Sequence, residues 1–144
     1  MLTTLDIRRI IGRFRKFSGV YPVSQLPVTL IRKSSGIIID LDEHWKPGSH
    51  WVAVYFPKIG HAYYFDSFGR YPPNQIIALM ERNSLRGWTW SAKKLQGDLS
   101  TLCGFYCIEF LRLSPNYNKF FSMYIDCSKV NDSKLLHRFM YKRL

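Results

Sequence analysis

The sequence predicts a single α+β domain, residues 1–144, in which helices flank a central mixed β-sheet. Helix-spaced and strand-like apolar runs follow one another in the order helix, strands, helix, strand, helices, which is typical of that class. The chain has 144 residues, of which 47% are hydrophobic and 16% aromatic. A globular chain of this length can bury one sizeable core, so one domain is expected.

The first predicted helix covers 5–17, where apolar residues recur close to helical spacing and arginine and lysine fill most of the gaps. Gly19 and Pro22 are expected to end this helix. The stretch 21–27 carries two prolines and is predicted to be an irregular connector.

Short β-branched and aromatic runs predict the strands of the sheet. They lie at 28–31, 36–40, 50–56, 62–65 and 88–95. The third and fourth runs are joined by a short segment that begins with Pro57 and ends with Gly60, which predicts a hairpin.

Four further helices are predicted from capping residues and prolines. Pro72 and Pro73 open a helix over 74–83, because proline is favoured close to a helix start. Ser100 is a suitable N-cap for a helix that runs to about 113, where Pro115 stops it. The last two helices are expected around 118–125 and 133–143.

The net charge of +11 is concentrated at the two ends of the chain. Residues 1–35 hold seven Lys/Arg against one acid, and residues 129–144 hold five against one, whereas 36–128 is nearly neutral. A basic surface favours nucleic acid or another polyanion as a partner. The alternative is that these charges only solvate exposed helix faces.

The three cysteines cannot all pair within one chain, so free thiols and a reducing, intracellular setting are expected. The N-terminal residues do not resemble a secretion signal, and the longest aliphatic run, 37–39, is far too short to cross a membrane. Cys107 and Cys127 are expected to be buried thiols. With no heptad pattern or apolar stripe for self-association, a monomer is expected.

A metal site is not expected. Cys107 follows Cys103 by one helical turn, but the sequence has no Cys-x-x-Cys pair. The histidines also lack the spacing of metal ligands; they are His44, His50, His61 and His137.

The hairpin brings a histidine and a carboxylate together. If 57–59 form its loop, Val54 faces Ala62 and His50 faces Asp66. A carboxylate beside an imidazole selects its tautomer and stabilises its protonated form.

A nucleophile is predicted at Cys103, in the first turn of the helix that Ser100 caps. The helix dipole and the unpaired N–H groups of a first turn favour a thiolate, and a nearby imidazolium activates it further. Gln96 could direct its side-chain amide at an oxyanion, together with the backbone N–H of Cys103. Gly104 leaves room for a substrate backbone, and Trp51 is assigned to substrate binding with it.

Each of these residues also has a purely structural interpretation. Cys103 alone would be a small buried apolar residue, and His50 an edge-strand histidine. Asp66 would be a turn residue, and Gln96 would cap a loop. Their occurrence together in a workable arrangement favours a cysteine protease.

The order His50, Asp66, Gln96, Cys103, within His-Trp, Phe-Asp-Ser-Phe-Gly and Gln-Gly-x₅-Cys-Gly-x-x-Cys, resembles the adenain-type cysteine proteases of adenoviruses and related DNA viruses. These share a fold with the SUMO-deconjugating proteases. The likeness extends over about 14–113 and is greatest to the short members from adenovirus-related viruses and virus-like mobile elements. It implies that His50 is the general base, Asp66 its orienting partner, Cys103 the nucleophile and Gln96 the oxyanion donor.

The resemblance implies an endopeptidase that cleaves precursor proteins of a virus or virus-like element during virion maturation, after small residues such as glycine. It implies that the chemistry needs no cofactor. It also implies activation by DNA or a viral peptide, and a location in the virion and the host nucleus or cytoplasm. The chain is shorter than adenain and lacks an obvious counterpart of the cysteine that bonds to adenain's activating peptide. Two alternatives stay open: an isopeptidase acting on SUMO or another ubiquitin-like modifier, and an inert basic DNA-binding protein.

Overall fold

The computed structural model describes residues 2–12, 14–42, 50–97 and 100–141. The strands are β1 (Phe17–Pro22), β2 (Ser35–Asp40), β3 (Trp51–Phe56), β4 (Ala62–Phe65) and β5 (Trp88–Trp90). The α-helices are α1 (Thr4–Ile11), α2 (Asn74–Asn83), α3 (Cys103–Leu113), α4 (Tyr117–Met123) and α5 (Ser128–Tyr141), and a 3₁₀ turn covers Val23–Gln25. No helix in these described ranges is long and apolar enough to cross a bilayer.

The five strands form one mixed sheet in the order β1-β2-β3-β4-β5. The outer pairs β1–β2 and β4–β5 are parallel, and the two inner pairs are antiparallel. All six residues of β3 are buried, because helices cover both faces of the sheet at its centre. The predicted α+β class with a central mixed sheet is confirmed.

The sheet separates two apolar clusters. The cluster on one face is built around α3, with side chains from α1, α4 and α5, and the cluster on the other face is built around α2. Successive β3 side chains point to opposite faces, as a two-residue period requires. The α3 cluster receives Trp51, Ala53 and Tyr55, and the α2 cluster receives Val52, Val54 and Phe56.

The N-terminal helix is shorter than predicted. The helix ends at Ile11 instead of residue 17, and its cap residue Gly12 donates its N–H to the Arg8 carbonyl at 2.8 Å. The residues that follow form β1, which pairs with β2 and has a bulge between Phe17 and Gly19. Gly19 has a φ of +144°, which L-residues with a side chain rarely adopt. Pairing with a distant strand therefore overrides the local helical spacing.

Two strand predictions also need correction. Residues 28–31 are irregular, with Val28 and Leu30 90% and 79% exposed, so this apolar run has no neighbouring strand to bury it. Within it, Ile31 is buried and donates its N–H to Asn83 Oδ1 at 2.7 Å. The strand predicted over 88–95 stops at Trp90.

The hairpin of β3 and β4 is confirmed, but its register differs from the expected one. Val54 pairs with Tyr64 instead of Ala62, a displacement of two residues that lengthens the loop. An even displacement leaves every side chain on its expected face, since side chains alternate with a period of two.

The helix α2 spans the predicted residues, and α4 and α5 lie close to theirs, although α5 begins five residues early. The start of α3 is corrected: Leu102, not Ser100, is its N-cap. Ser100 instead accepts the Leu102 N–H with its own hydroxyl at 3.2 Å, in a local turn that competes with capping. Cys107 is buried as expected, but Cys127 is exposed, in the connection before α5.

Candidate active site

His50 and Asp66 meet at one end of the sheet, where β3 begins and β4 has just ended. His50 Nε2 lies 3.1 Å from Asp66 Oδ1, and the carboxylate side chain is fully buried. The same oxygen accepts the Phe68 N–H at 2.8 Å, in a tight turn after β4. The Phe68 ring centroid lies 5.2 Å from that of the imidazole. A peptide N–H and an aromatic ring therefore hold the carboxylate–imidazole pair in place.

Opposing effects act on the protonation of His50. Burial alone would lower the pKa of the imidazole, because it disfavours the charged form. Hydrogen bonds and charge interactions with Asp66 and Cys103 outweigh burial and raise the pKa of His50 to about 9. The imidazole is therefore protonated at neutral pH.

Cys103 is the first residue of α3, and it is buried in contact with β3. The Trp51 N–H donates to Cys103 Sγ at 3.4 Å, and the thiol interacts electrostatically with the His50 side chain. The main-chain N–H of Cys103 lies in the first turn of α3.

Gln96 is fully buried, and both ends of its side-chain amide are held. Oε1 accepts the Ser67 hydroxyl at 2.5 Å, and Nε2 donates to the Ser100 carbonyl at 2.8 Å. One amide hydrogen is used by Ser100, so the second can donate elsewhere. The bond from Ser67 also determines which end of the amide is the donor end.

The chain is similar to viral proteases. No protein-family model matches the chain. The protease of bovine adenovirus 2 is 31% identical over 98 residues, which are 59% of this chain and 48% of that protein. The chain thus spans about half the length of the adenovirus protease.

Solved structures show the same likeness. A crystal structure of the ASFV pS273R protease superimposes with a TM-score of 0.64 over 94% of this chain and 66% of its own, at 19% identity. Its selenomethionine form gives a TM-score of 0.55 over 72% of this chain and 42% of its own, at 24% identity. The chain has the adenain-like cysteine protease fold. The predicted resemblance and fold type are therefore confirmed.

In this adenain-like fold, the C-terminal helix α5 anchors the segment that carries Gln96. Asp132 accepts the Gly97 N–H at 3.3 Å with one oxygen and the Tyr106 hydroxyl at 2.6 Å with the other. Asn131 donates to the Leu95 carbonyl at 3.3 Å. The segment before α3 is thus bound on both sides of Gln96 by side chains more than thirty residues away.

None of these supporting residues is predicted from the sequence. Ser67 had a signal, because it directly follows Asp66 in the Phe-Asp-Ser-Phe-Gly block. Asp132 had a weaker one, as the one acid within the basic stretch 129–144. No sequence pattern marked Asn131, because the three carbonyl groups that accept from it come from distant or irregular segments.

The structure brings Trp51 and Gly104 together beneath Leu2. The Trp51 indole N–H donates to the Leu2 carbonyl at 3.2 Å. A Cβ on Gly104 would lie 3.0 Å from a Leu2 methyl group and 3.3 Å from the Trp51 ring. A side chain at position 104 would therefore push against the indole that lies next to Cys103. The assignment of both residues to substrate binding stays a prediction.

Within the described residues, no group of three or more His, Cys, Asp or Glu side chains is arranged to hold a metal ion.

Proposed function

We propose that this chain is a cysteine endopeptidase in which Cys103 is the nucleophile, His50 the general base and Asp66 the residue that orients the imidazole. The observation that carries the proposal is that the His50 imidazole lies 3.1 Å from a buried carboxylate and interacts electrostatically with Cys103 at the start of α3. Gln96 is proposed as the oxyanion donor.

The proposed reaction begins with the Cys103 proton on His50, which leaves a thiolate beside an imidazolium. The sulfur attacks the carbonyl carbon of the scissile peptide, and the electron pair of the C=O bond moves to oxygen. The Gln96 side-chain N–H and the Cys103 main-chain N–H stabilise this oxyanion. Asp66 keeps the imidazole oriented and stabilises its charge.

Collapse of the tetrahedral intermediate expels the amine, which takes its proton from His50 and leaves a thioester on Cys103. Neutral His50 then removes a proton from water as the oxygen attacks the thioester carbon. The second tetrahedral intermediate expels the Cys103 thiolate and releases the carboxylic acid, which restores the starting thiolate–imidazolium pair. Both halves of the reaction use the same oxyanion donors.

The proposed substrates are precursor polypeptides of a virus or virus-like element, cut after small residues such as glycine. The support is the similarity to a bovine adenovirus protease. Cys103 is only 2% exposed, so a small residue at the cleavage site would approach the sulfur with least obstruction.

Site-resolved alkylation with iodoacetamide, read by mass spectrometry, tests the proposal without a known substrate. At about pH 6 an ordinary thiol is almost wholly protonated. We expect Cys103 to react faster than the exposed Cys127 despite its burial, because the proposed mechanism places its proton on His50. His50→Ala should remove this advantage.

The two other cysteines serve as internal controls in the same sample. Cys107 is fully buried, and burial raises the pKa of its thiol well above the usual range, so it should stay unlabelled in the folded protein. If Cys103 reacts no faster than Cys127, or equally fast in His50→Ala, the proposed ion pair is wrong.

A second prediction concerns the alkaline limb of the pH–rate profile. The folded-state pKa of His50, about 9, lies above the ordinary 6.5. The imidazolium, which gives its proton to the leaving amine, therefore persists at neutral pH and is lost as pH rises through about 9. We expect kcat/KM for a fluorogenic Gly-Gly peptide to fall over that range.

Stability should follow the same titration. The interaction that raises the pKa stabilises the folded chain fully below pH 6.5 and is lost as pH rises towards 9. Urea unfolding across this interval should show a decrease in the wild type that is smaller in His50→Ala. An equal slope in both proteins would contradict the pKa shift.

A third prediction concerns the oxyanion donor. Gln96→Ala should lower kcat by about 10²–10³-fold with little change in KM, because the donor is used mainly in the transition state. Ser67→Ala should give a smaller loss in kcat, since the amide stays present but is free to rotate. The control is Gln25→Ala, which removes an exposed glutamine and should leave both constants unchanged. Equal effects on kcat and KM would contradict the oxyanion role.

Duplex DNA at the basic termini, activation by DNA or a peptide, and a monomeric state stay predictions. Arg8 and Arg9 on α1 and Lys129 on α5 are exposed, as a contact with a polyanion would require.

A further inference from the structure

A groove lies at the opposite end of the β3–β4 hairpin from His50 and Asp66. It has a volume of about 730 Å³ and is formed by the hairpin loop, the segment before β2 and the end of α2. Since β3 is six residues long, the groove lies roughly 20 Å from His50. A partner bound there would leave the candidate active site open.

The groove combines exposed aliphatic side chains with positive charge. Leu30 and Ile59 are each 79% exposed, and Leu85 is fully exposed. Such apolar groups near one another on a surface are typical of interaction sites. The cations that line the same groove are Lys33, Lys58, Arg82 and Arg86.

No carboxylate balances these cations. The lining residues include no Asp or Glu, and within the described part of the chain none of the four cations forms a salt bridge. Two of the cations are nevertheless held in place: Lys33 donates to the Asn83 carbonyl, and Arg82 donates to the Pro27 carbonyl at 3.3 Å. The groove therefore presents ordered, uncompensated positive charge.

The chemistry of the lining favours a polypeptide over nucleic acid. Bound single strands stack their bases on aromatic side chains, and this groove has none. Its aliphatic groups would instead bury the apolar side chains of a peptide, while the cations pair with its carboxylates. The groove is concave, so the side chains of a peptide can insert into it, whereas the flat surface of a membrane cannot.

We propose that this groove is a docking site for an extended, acidic segment of a partner polypeptide that carries aliphatic side chains. The four cations supply charge complementarity, and Leu30, Ile59 and Leu85 supply the apolar contact. Because the site is remote from Cys103, docking and peptide-bond cleavage are separable. The inference therefore does not depend on the proposed protease activity.

Fluorescence anisotropy with a labelled peptide of alternating Asp and Leu, added to the full chain, tests the proposal. We expect saturable binding that weakens about tenfold in Arg82→Glu/Arg86→Glu and by a similar factor in Leu85→Ser. Leu85 is fully exposed, so its replacement should leave the fold unchanged. Hydrolysis of a short Gly-Gly peptide should be the same in all these variants.

The control is Lys119→Glu/Lys129→Glu, which makes the same change in net charge at exposed positions on α4 and α5. It should leave binding unchanged. Equal weakening in this control, no effect of Leu85→Ser, or no saturable binding would overturn the proposal. If duplex DNA or anionic vesicles bind instead and lose affinity in Arg82→Glu/Arg86→Glu, the groove recognises those polyanions and the proposal is wrong.

Discussion

Replacing Cys103 by alanine should abolish cleavage of a fluorogenic Gly-Gly peptide while leaving the protein folded. In a nucleophile–histidine unit, loss of the nucleophile alone costs about 10⁶-fold in turnover. The side chain is small, and its polar contacts are with the Trp51 N–H and the His50 imidazole. Its removal therefore leaves the α3 cluster in place, and circular dichroism should show unchanged secondary structure.

Cys107→Ala is the matched control for this variant. Cys107 is also buried and lies on α3 one turn further along, but burial keeps it as a neutral thiol. Its replacement should lower stability slightly and leave turnover unchanged. Residual cleavage by Cys103→Ala at the wild-type rate would mean that the nucleophile is another residue.

Replacing Asp66 by asparagine should lower kcat by about 10⁴-fold, the loss found when the carboxylate of a Ser-His-Asp triad is removed in this way. An amide has nearly the same shape but no charge, and it can present an N–H where the imidazole also needs an acceptor. The buried His50 would then lose its preferred tautomer. The pKa of His50 should also fall from about 9 towards its ordinary value, because the bond to Asp66 is a main cause of the increase.

The measurement is the pH dependence of kcat/KM, in which the alkaline limb should move to lower pH in Asp66→Asn. Asp40→Asn is a suitable control, because Asp40 interacts electrostatically with His50 but its carboxylate accepts the Asp42 N–H at 2.9 Å. This control should shift the limb only slightly. If the alkaline limb of kcat/KM in Asp66→Asn stays at the wild-type pH, a group other than Asp66 raises the pKa of His50.

The meeting of His50 and Asp66 was predictable from the sequence, but the bonds that hold the Gln96 segment were not. His50 and Asp66 were expected to meet in the hairpin, and they do, although the observed register is displaced by two residues. The expectation survives because an even displacement preserves the faces of both strands. The bonds from Ser67 and α5 that hold the Gln96 segment join residues 29 to 36 positions apart, and no local pattern encodes them.

The sequence by itself determined the elements that local chemistry specifies. Proline predicted the start of α2, the apolar runs predicted β2, β3 and β4, and the residues around Cys103 predicted a helix that begins near it. Only the tertiary structure decided that Phe17–Pro22 is a strand, where the hairpin register lies, and that four distant cations share one groove. The physical reason is that strand pairing and surface clustering depend on partners far away in the chain, whereas capping and periodicity act between near neighbours.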